Sequence, residues 1–312
     1  MSLNFSRDAL PLLLVAVGAL CLPLLGNDYY LGVGFTLFGW VALAQSWTLV
    51  SGLAGYISLG HVVFAGIGGY LLVLTWGAVP IWLGAIVGAV GAGLFALLVG
   101  LPVMRVRGPY FVILTFGLAE FAKYVVINIE SVLGKFSRLL LGGPALQDLY
   151  WVMAALALVG TFSVVVVRRL RLGAGLIAIR EDETAAGTLG VPTMRFKLIA
   201  FALSALLPGL VGAMFVLRTG YFEPLQAFDP IISFTIVTMA IIGGSEDARG
   251  PVLGAIFLVL LSELLWSNFP QVYMVILGVL LIGFVLFAPN GVSGLLDRLA
   301  SRSLQRPGVG LV

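Results

Sequence analysis

The chain has 312 residues, 61% of them apolar and only 10% charged, with 40 glycines and a formal charge of +3. A soluble domain carries about 25% charged residues, so this chain could not cover its own surface with polar groups in water, and lipid must be the solvent for most of it. The basic residues sit in short stretches between apolar runs, which is a topology signal rather than a binding patch, and no nucleic-acid partner is expected.

In chain order, the apolar runs able to cross ~30 Å of hydrocarbon at ~1.5 Å per residue are 9–25, 30–50, 57–76, 81–104, 109–127, 150–167, 198–219, 231–242, 252–269 and 272–288. They predict an all-α polytopic integral membrane protein, one transmembrane domain of about ten helices, or eight to ten given the short eighth run. The first run exceeds the ~7–15 residues of a signal-peptide core, and Gly26-Asn27-Asp28 is a poor cleavage site, so it reads as a retained helix. It holds Cys21, the single cysteine, which offers neither an internal disulfide nor zinc-type spacing.

Intramembrane polar residues are functional candidates by default. Gln45 lies in the second run. Gly52, Gly55 and Gly60 cluster at the start of the third, where they can break the helix and present backbone dipoles to a solute carboxylate. Ser58 and the only histidine, His61, share that segment. Gly84-x-x-x-Gly88 in the fourth allows a close helix crossing. Glu120 and Lys123 stand three apart on one face of the fifth and can neutralise each other. Glu263 lies mid-span in the ninth without an evident local partner. Gln45, Gly52, Gly55, Ser58, His61 and Glu120 are therefore the candidate solute-path residues; packing is the alternative role for the glycines, His61 and Gln45, and the neutralising pair with Lys123 is the alternative for Glu120.

With the N-terminus inside, 13 of the 17 basic residues fall on the inner side; only Lys123, Lys135, Arg138 and Arg218 lie at or near the outer side. The positive-inside rule selects this orientation, with both termini cytoplasmic. Ten spans taken as five plus five would set the halves in opposite orientation, as inverted repeats do in transporters, although no internal repeat is detectable. Two connections are long: an outer one, 128–149, with Gly142-Gly143-Pro144, and an inner one, 168–197, with six basic residues and the acidic run Glu181-Asp182-Glu183. Asp182 or Glu183 can open a short helix, and Gly190 followed by Val191-Pro192 can close it. The expected product is a one- to two-turn helix whose small residues, Ala185 and Ala186, let another protein's backbone approach. An ordinary solvated loop is the alternative.

Glu183-x-Ala185-Ala186-x-x-x-Gly190 resembles the EAA-type coupling loop of ABC importer permeases. The longer string from Ala178 to Gly190, continued by Arg195-Phe-Lys-Leu, resembles the branched-chain amino-acid permease family, LivM type. Gly55-Tyr-Ile-Ser-Leu-Gly60-His61 with Phe64-Ala-Gly-Ile-Gly-Gly-Tyr70 is similar to that family's third span. Arg105-Val-Arg-Gly108-Pro109-Tyr110-Phe111 and Gly243-Gly244 followed by Gly250-Pro251-Val-Leu-Gly254 resemble further segments in the same order. Two departures stand out. Ser245-Glu246-Asp247-Ala248-Arg249 replaces a small neutral stretch, and Pro289-Asn290-Gly291 has Asn where Arg is usual.

The resemblance implies a transmembrane permease subunit of a bacterial ABC importer for branched-chain amino acids or a related small polar solute, working by alternating access in the cytoplasmic (inner) membrane. It further implies a second, homologous permease, two cytoplasmic ATPases that bind ATP and Mg, and an extracytoplasmic substrate-binding protein. Glu181, Asp182, Glu183, Ala185, Ala186 and Gly190 would couple to the ATPases. No P-loop occurs, since Gly134-Lys135 is followed by Phe136, so this chain itself is expected to bind no nucleotide. No metal-ligand cluster, His pair or nucleophile elbow stands in the sequence, which argues against an enzyme. An ion-coupled secondary transporter is the alternative function, and the scarcity of buried carboxylates and histidines weighs against it.

Overall fold

The computed structural model describes residues 5–135, 137–245 and 247–268, with six further helical residues between 275 and 283. The expected tenth span (272–288), Pro289-Asn290-Gly291 and Glu246 lie wholly or largely outside the described residues. The chain is helical almost throughout: α1 (Phe5–Cys21), α2 (Asp28–Trp47), α3 (His61–Leu74), α4 (Ile81–Val103), α5 (Pro109–Val132), α6 (Leu146–Arg169), α7 (Arg171–Glu181), α8 (Glu183–Thr188), α9 (Thr193–Thr219), α10 (Pro224–Ala227), α11 (Pro230–Gly243) and α12 (Arg249–Asn268). Six segments are long and apolar enough to cross a membrane by length and composition: Asp28–Gly52, α4, α5, α6, α9 and Pro224–Gly243. Ala9–Leu24 and α3 are shorter apolar helices. A polytopic helical membrane protein follows from these.

Local chemistry explains the helix ends. Asn27 caps α2 by accepting from the Tyr29 amide at 3.0 Å, and Asp229 caps α11 by accepting from the Ile231 amide at 2.9 Å. Gly220, in the left-handed region at φ 72°, closes α9, a conformation that costs glycine nothing. The all-helical pattern is interrupted by a two-residue antiparallel ribbon, Arg138–Leu139 against Tyr221–Phe222.

In a bilayer, helices gain nothing by burying apolar surface against one another, because lipid is as apolar as leucine; close van der Waals contact decides which faces meet. The most extensive contacts join α4 with α9, α2 with α6, and α3 with both α4 and α9. The α3–α9 crossing is backbone on backbone. A Cβ added at Gly212 would stand 2.0 Å from the Ala65 carbonyl oxygen, and one at Gly68 the same distance from that of Gly209. Gly88 reaches the same seam, 2.5 Å from the Gly68 carbonyl oxygen for an added Cβ. By contrast α5 lies at the edge, with Ile113, Phe121 and Val132 exposed.

Candidate functional site

Helix α2 does not run straight into α3. Its ladder widens into a π turn over Thr48–Gly52, a feature often found at functional positions. Residues 55–60 then leave the helix altogether. Gly55 there takes φ 75°, and a Cβ on it would stand 3.0 Å from Cγ of Arg180. The third helix therefore starts at His61, four residues later than the expected third run.

Irregular backbone away from water must find its hydrogen bonds within the protein, and side chains supply them here. Trp47 Nε1 donates to the Ser58 carbonyl at 2.8 Å and the Ser51 hydroxyl to that of Tyr56 at 2.7 Å. The Ser58 amide donates to Ser51 Oγ at 3.2 Å, and the Leu59 amide to Thr115 Oγ1 of α5 at 3.1 Å. Ser58 Oγ in turn stands 3.3 Å from His61 Nδ1. His61 is fully buried, and its Nε2, like Gln45 Oε1, has no hydrogen-bond partner among the described residues.

The expected short helix is present as α8. Asp182 accepts from the amides of Thr184 at 2.7 Å and Ala185 at 3.0 Å, so it is the cap, and Gly190 takes φ 88° beyond the end. Two expectations need correction. The segment before the cap is itself helical, as α7, and Arg168–Arg169 and Thr193–Lys197 belong to α6 and α9, which leaves less loop than 168–197. Ala186 does not face outward: it is 2% exposed and packs into this chain's own core. Ala185, Gly187, Thr188 and Gly190 are exposed, and Leu189 stands out at 84%.

Glu183, the first residue of α8, turns back into the protein. Its carboxylate accepts from Lys197 Nζ of α9 at 2.7 Å and from the Tyr56 hydroxyl, and forms an ion pair with Arg107 Nε at 3.1 Å. Lys197 Nζ also donates to the Tyr56 hydroxyl at 3.0 Å and to the Met104 carbonyl at 2.8 Å, and lies 4.7 Å from the Tyr56 ring centroid. Burial alone would push the Glu183 carboxyl up, but hydrogen bonds from Lys197 and Tyr56 and the charge of Arg107 hold it below the usual carboxylate range. Tyr56 is pushed well above the ordinary phenol, first by burial and then by that carboxylate. Next to this cluster, Arg180 Nη1 donates to the Gly52 carbonyl at 3.1 Å. An open groove of about 630 Å³, lined by Gly55, Tyr56, Ile57, Arg107, Ile179 and Glu183 among others, runs past it.

The structure thus brings Gly52, Gly55, Ser58 and His61 into one connection, with Glu183 against it. Gln45 lies further back on α2, its amide donating to the Ala248 carbonyl at 2.7 Å. Glu120 stays apart on the edge helix, paired with Lys123 at 2.5 Å. Glu263, expected without an evident local partner, accepts from the Tyr29 hydroxyl of the distant α2. Glu181 is exposed. The described residues of the departing segment, Ser245 and Asp247 to Arg249, pack here as well: an added Cβ on Gly52 would stand 2.3 Å from the Ser245 carbonyl oxygen, and Asp247 pairs with Arg249 at 2.9 Å and faces Arg168 at 3.9 Å.

Sequence reasoning missed Tyr56, Arg107, Arg180 and Lys197 as site residues. All four lie inside the strings that carry the resemblance. It also missed a second cavity, of about 280 Å³, at the far end of α9, walled by Trp40, Leu43 and Phe215 with Thr219, Glu223 and Gln226 among its polar lining.

The model of a family described as branched-chain amino acid transport system / permease component matches residues 30–285. A high-affinity branched-chain amino acid transport system permease protein, LivM, of Escherichia coli is 30% identical over 293 residues, covering 84% of this chain and 66% of its own length; that of Salmonella typhimurium is 29% identical over the same shares. An autoinducer 2 import system permease protein, LsrC, of Klebsiella pneumoniae is 28% identical over 148 residues, 44% of this chain and 42% of its own. The chain therefore spans just under two thirds of the two longer-matching relatives. No solved structure gives a significant match.

Proposed function

The chain belongs to the family of branched-chain amino acid transport system permease components, and we propose on that premise that it is the transmembrane permease subunit of an ATP-driven importer for branched-chain amino acids or a related small polar solute. The observation that carries this reading is the family match across residues 30–285, within which the capped helix α8 ends on the exposed Leu189. A short, rigidly capped helix between two membrane-spanning helices suits force transmission from a cytoplasmic ATPase. The complex would hold a second homologous permease, two ATPases that bind ATP and Mg, and an extracytoplasmic substrate-binding protein. Glu181, Asp182, Glu183, Ala185, Ala186 and Gly190 form the coupling segment, Ala186 as its inward seat.

The same reading gives ten spans in the bacterial inner membrane with both termini and the α7–α8 corner on the cytoplasmic side, supported by the 13-to-4 split of basic residues. The solute path follows the connection Gly52–His61 and the flanking Gln45; the apolar cavity at the far end of α9 forms its outer vestibule, its polar lining suiting a small zwitterion with an apolar side chain. Glu120, paired on the edge helix, contributes least to such a path.

Uptake by the purified complex in proteoliposomes tests the proposal. Solute accumulation that requires ATP and survives a protonophore supports it; accumulation that ignores ATP and collapses with the ion gradient makes the chain a secondary transporter instead. Orientation is tested by labelling with an impermeant thiol reagent in a Cys21→Ser background. Gly142→Cys should react from outside and Gly187→Cys should not.

A further inference from the structure

We infer that Glu183 is a positioning residue for transport, the joint through which movement of α8 reaches the irregular segment ahead of α3, while the surface that meets an ATPase is the opposite side of α8, ending at Leu189. This rests on the reading of 171–190 as the coupling element.

Three stretches far apart in sequence converge on this one carboxylate: Tyr56 of the α2–α3 connection, Lys197 of α9, and the α4–α5 link, directly at Arg107 and through Lys197 at the Met104 carbonyl. The α7–α8 corner grips the connection at two points, Arg180 at the Gly52 carbonyl and Glu183 at the Tyr56 hydroxyl. Between these points lies Gly55 at φ 75°, where the backbone already departs from the helix. The grip is stiff because its bonds are charge-assisted and Lys197 is only 4% exposed. The corner itself is fixed by the Asp182 cap and the buried Ala186. A displacement of α8 is therefore delivered to Tyr56 and from there to the Ser51–Ser58–His61 chain of hydrogen bonds. The outward residues Thr184, Ala185, Gly187, Thr188 and Leu189 remain free to meet a partner.

The test separates grip from docking. Glu183→Gln keeps the shape and removes the charge, so the complex should keep its ATPases while the solute moved per ATP hydrolysed falls about tenfold, the scale of turning a charge-assisted hydrogen bond into a neutral one. Glu183→Asp, which restores the charge on a shorter arm, should recover part of that ratio. Tyr56→Phe removes only the hydroxyl that is pulled and should lower the ratio in the same way; it decides the matter if Glu183→Gln fails to accumulate in the membrane. Leu189→Asp should act on the other face and strip the ATPases on purification. An unchanged ratio in Tyr56→Phe overturns the joint, whether or not Glu183→Gln accumulates. ATPases retained with full uptake in Leu189→Asp overturn instead the reading of this segment as the coupling element.

Discussion

Lys197→Met probes the cluster most directly, because methionine keeps most of the apolar stem and deletes only the ammonium. Nζ makes three bonds, to Glu183, Tyr56 and the Met104 carbonyl, at 2.7, 3.0 and 2.8 Å. The two side chains of the pair are 4% and 11% exposed. Removing one partner of a buried pair costs about 3–5 kcal/mol, against about 0–1 kcal/mol for an exposed pair. Arg107 remains beside the carboxylate at 3.1 Å and, being 60% exposed, brings water with it, which pulls the cost down. The Met104 carbonyl loses its donor, which pulls it up by about 1–3 kcal/mol if no water replaces Nζ. The net expectation is about 2–4 kcal/mol. Glu183→Gln leaves Lys197 with two acceptors and should cost less, about 1–2 kcal/mol. In the double variant the two losses should fall short of additivity by about 1–3 kcal/mol, since the residues touch. Thermal unfolding of the detergent-solubilised protein, followed by tryptophan fluorescence, reads this out; at about 2–4 °C per kcal/mol, Lys197→Met should melt roughly 4–16 °C below the parent. A melting point unmoved by Lys197→Met, with strict additivity in the double variant, would show that the pair behaves as a surface pair and refute the reasoning.

Three further outcomes are expected. Gly212→Ala places a Cβ 2.0 Å from the Ala65 carbonyl oxygen, so α3 and α9 must separate and the melting point should fall by the equivalent of about 1–3 kcal/mol or more; Gly117→Ala on the edge helix meets nothing within 4 Å and should be neutral or gain up to ~1 kcal/mol of helix propensity. Ala186→Trp should fail at folding rather than at assembly, seen as loss of monodisperse protein on gel filtration even without partners, because the site is closed within this chain. Glu183 has a folded-state pKa below its ordinary value, so its contribution is complete above the unfolded carboxylate pKa of about 4.3 and is lost as pH falls through the folded value. The melting difference between parent and Glu183→Gln should accordingly stay level from about pH 5.5 to 8 and close only at lower pH.

How much of this was legible in the sequence differs element by element. Composition and run length identified the solvent as lipid and placed the helices, since a span is a local property of about twenty consecutive residues. The α8 helix was readable for the same reason: Asp182 and Gly190 are local start and stop signals, respectively, whose effect reaches only two or three residues. The segment before it, Arg171–Glu181, was not read as a helix because its two glycines and weak period mask the pattern.

Facing is where sequence reading failed. Ala186 and Ala185 are the same residue type one position apart, yet one is buried and the other exposed. In water an amphipathic stripe would separate the two sides, but in a membrane protein the lipid face and the packed face are both apolar, so hydrophobic period carries little information about which one is inside. The meeting of Tyr56, Arg107, Glu183 and Lys197 was likewise beyond the sequence. Each is an ordinary interfacial residue on its own stretch, and only the α3–α4–α9 seam, where Gly68, Gly88, Gly209 and Gly212 let backbones touch, sets the distances that bring the four together. The sequence by itself determined that this chain spans a membrane, which family it resembles and where a short capped helix stands; the tertiary packing alone decided that the first carboxylate of that helix faces inward to hold the connection between α2 and α3, because a hydrogen bond across 141 residues, from Lys197 to Tyr56, is fixed by how helices cross and by nothing local.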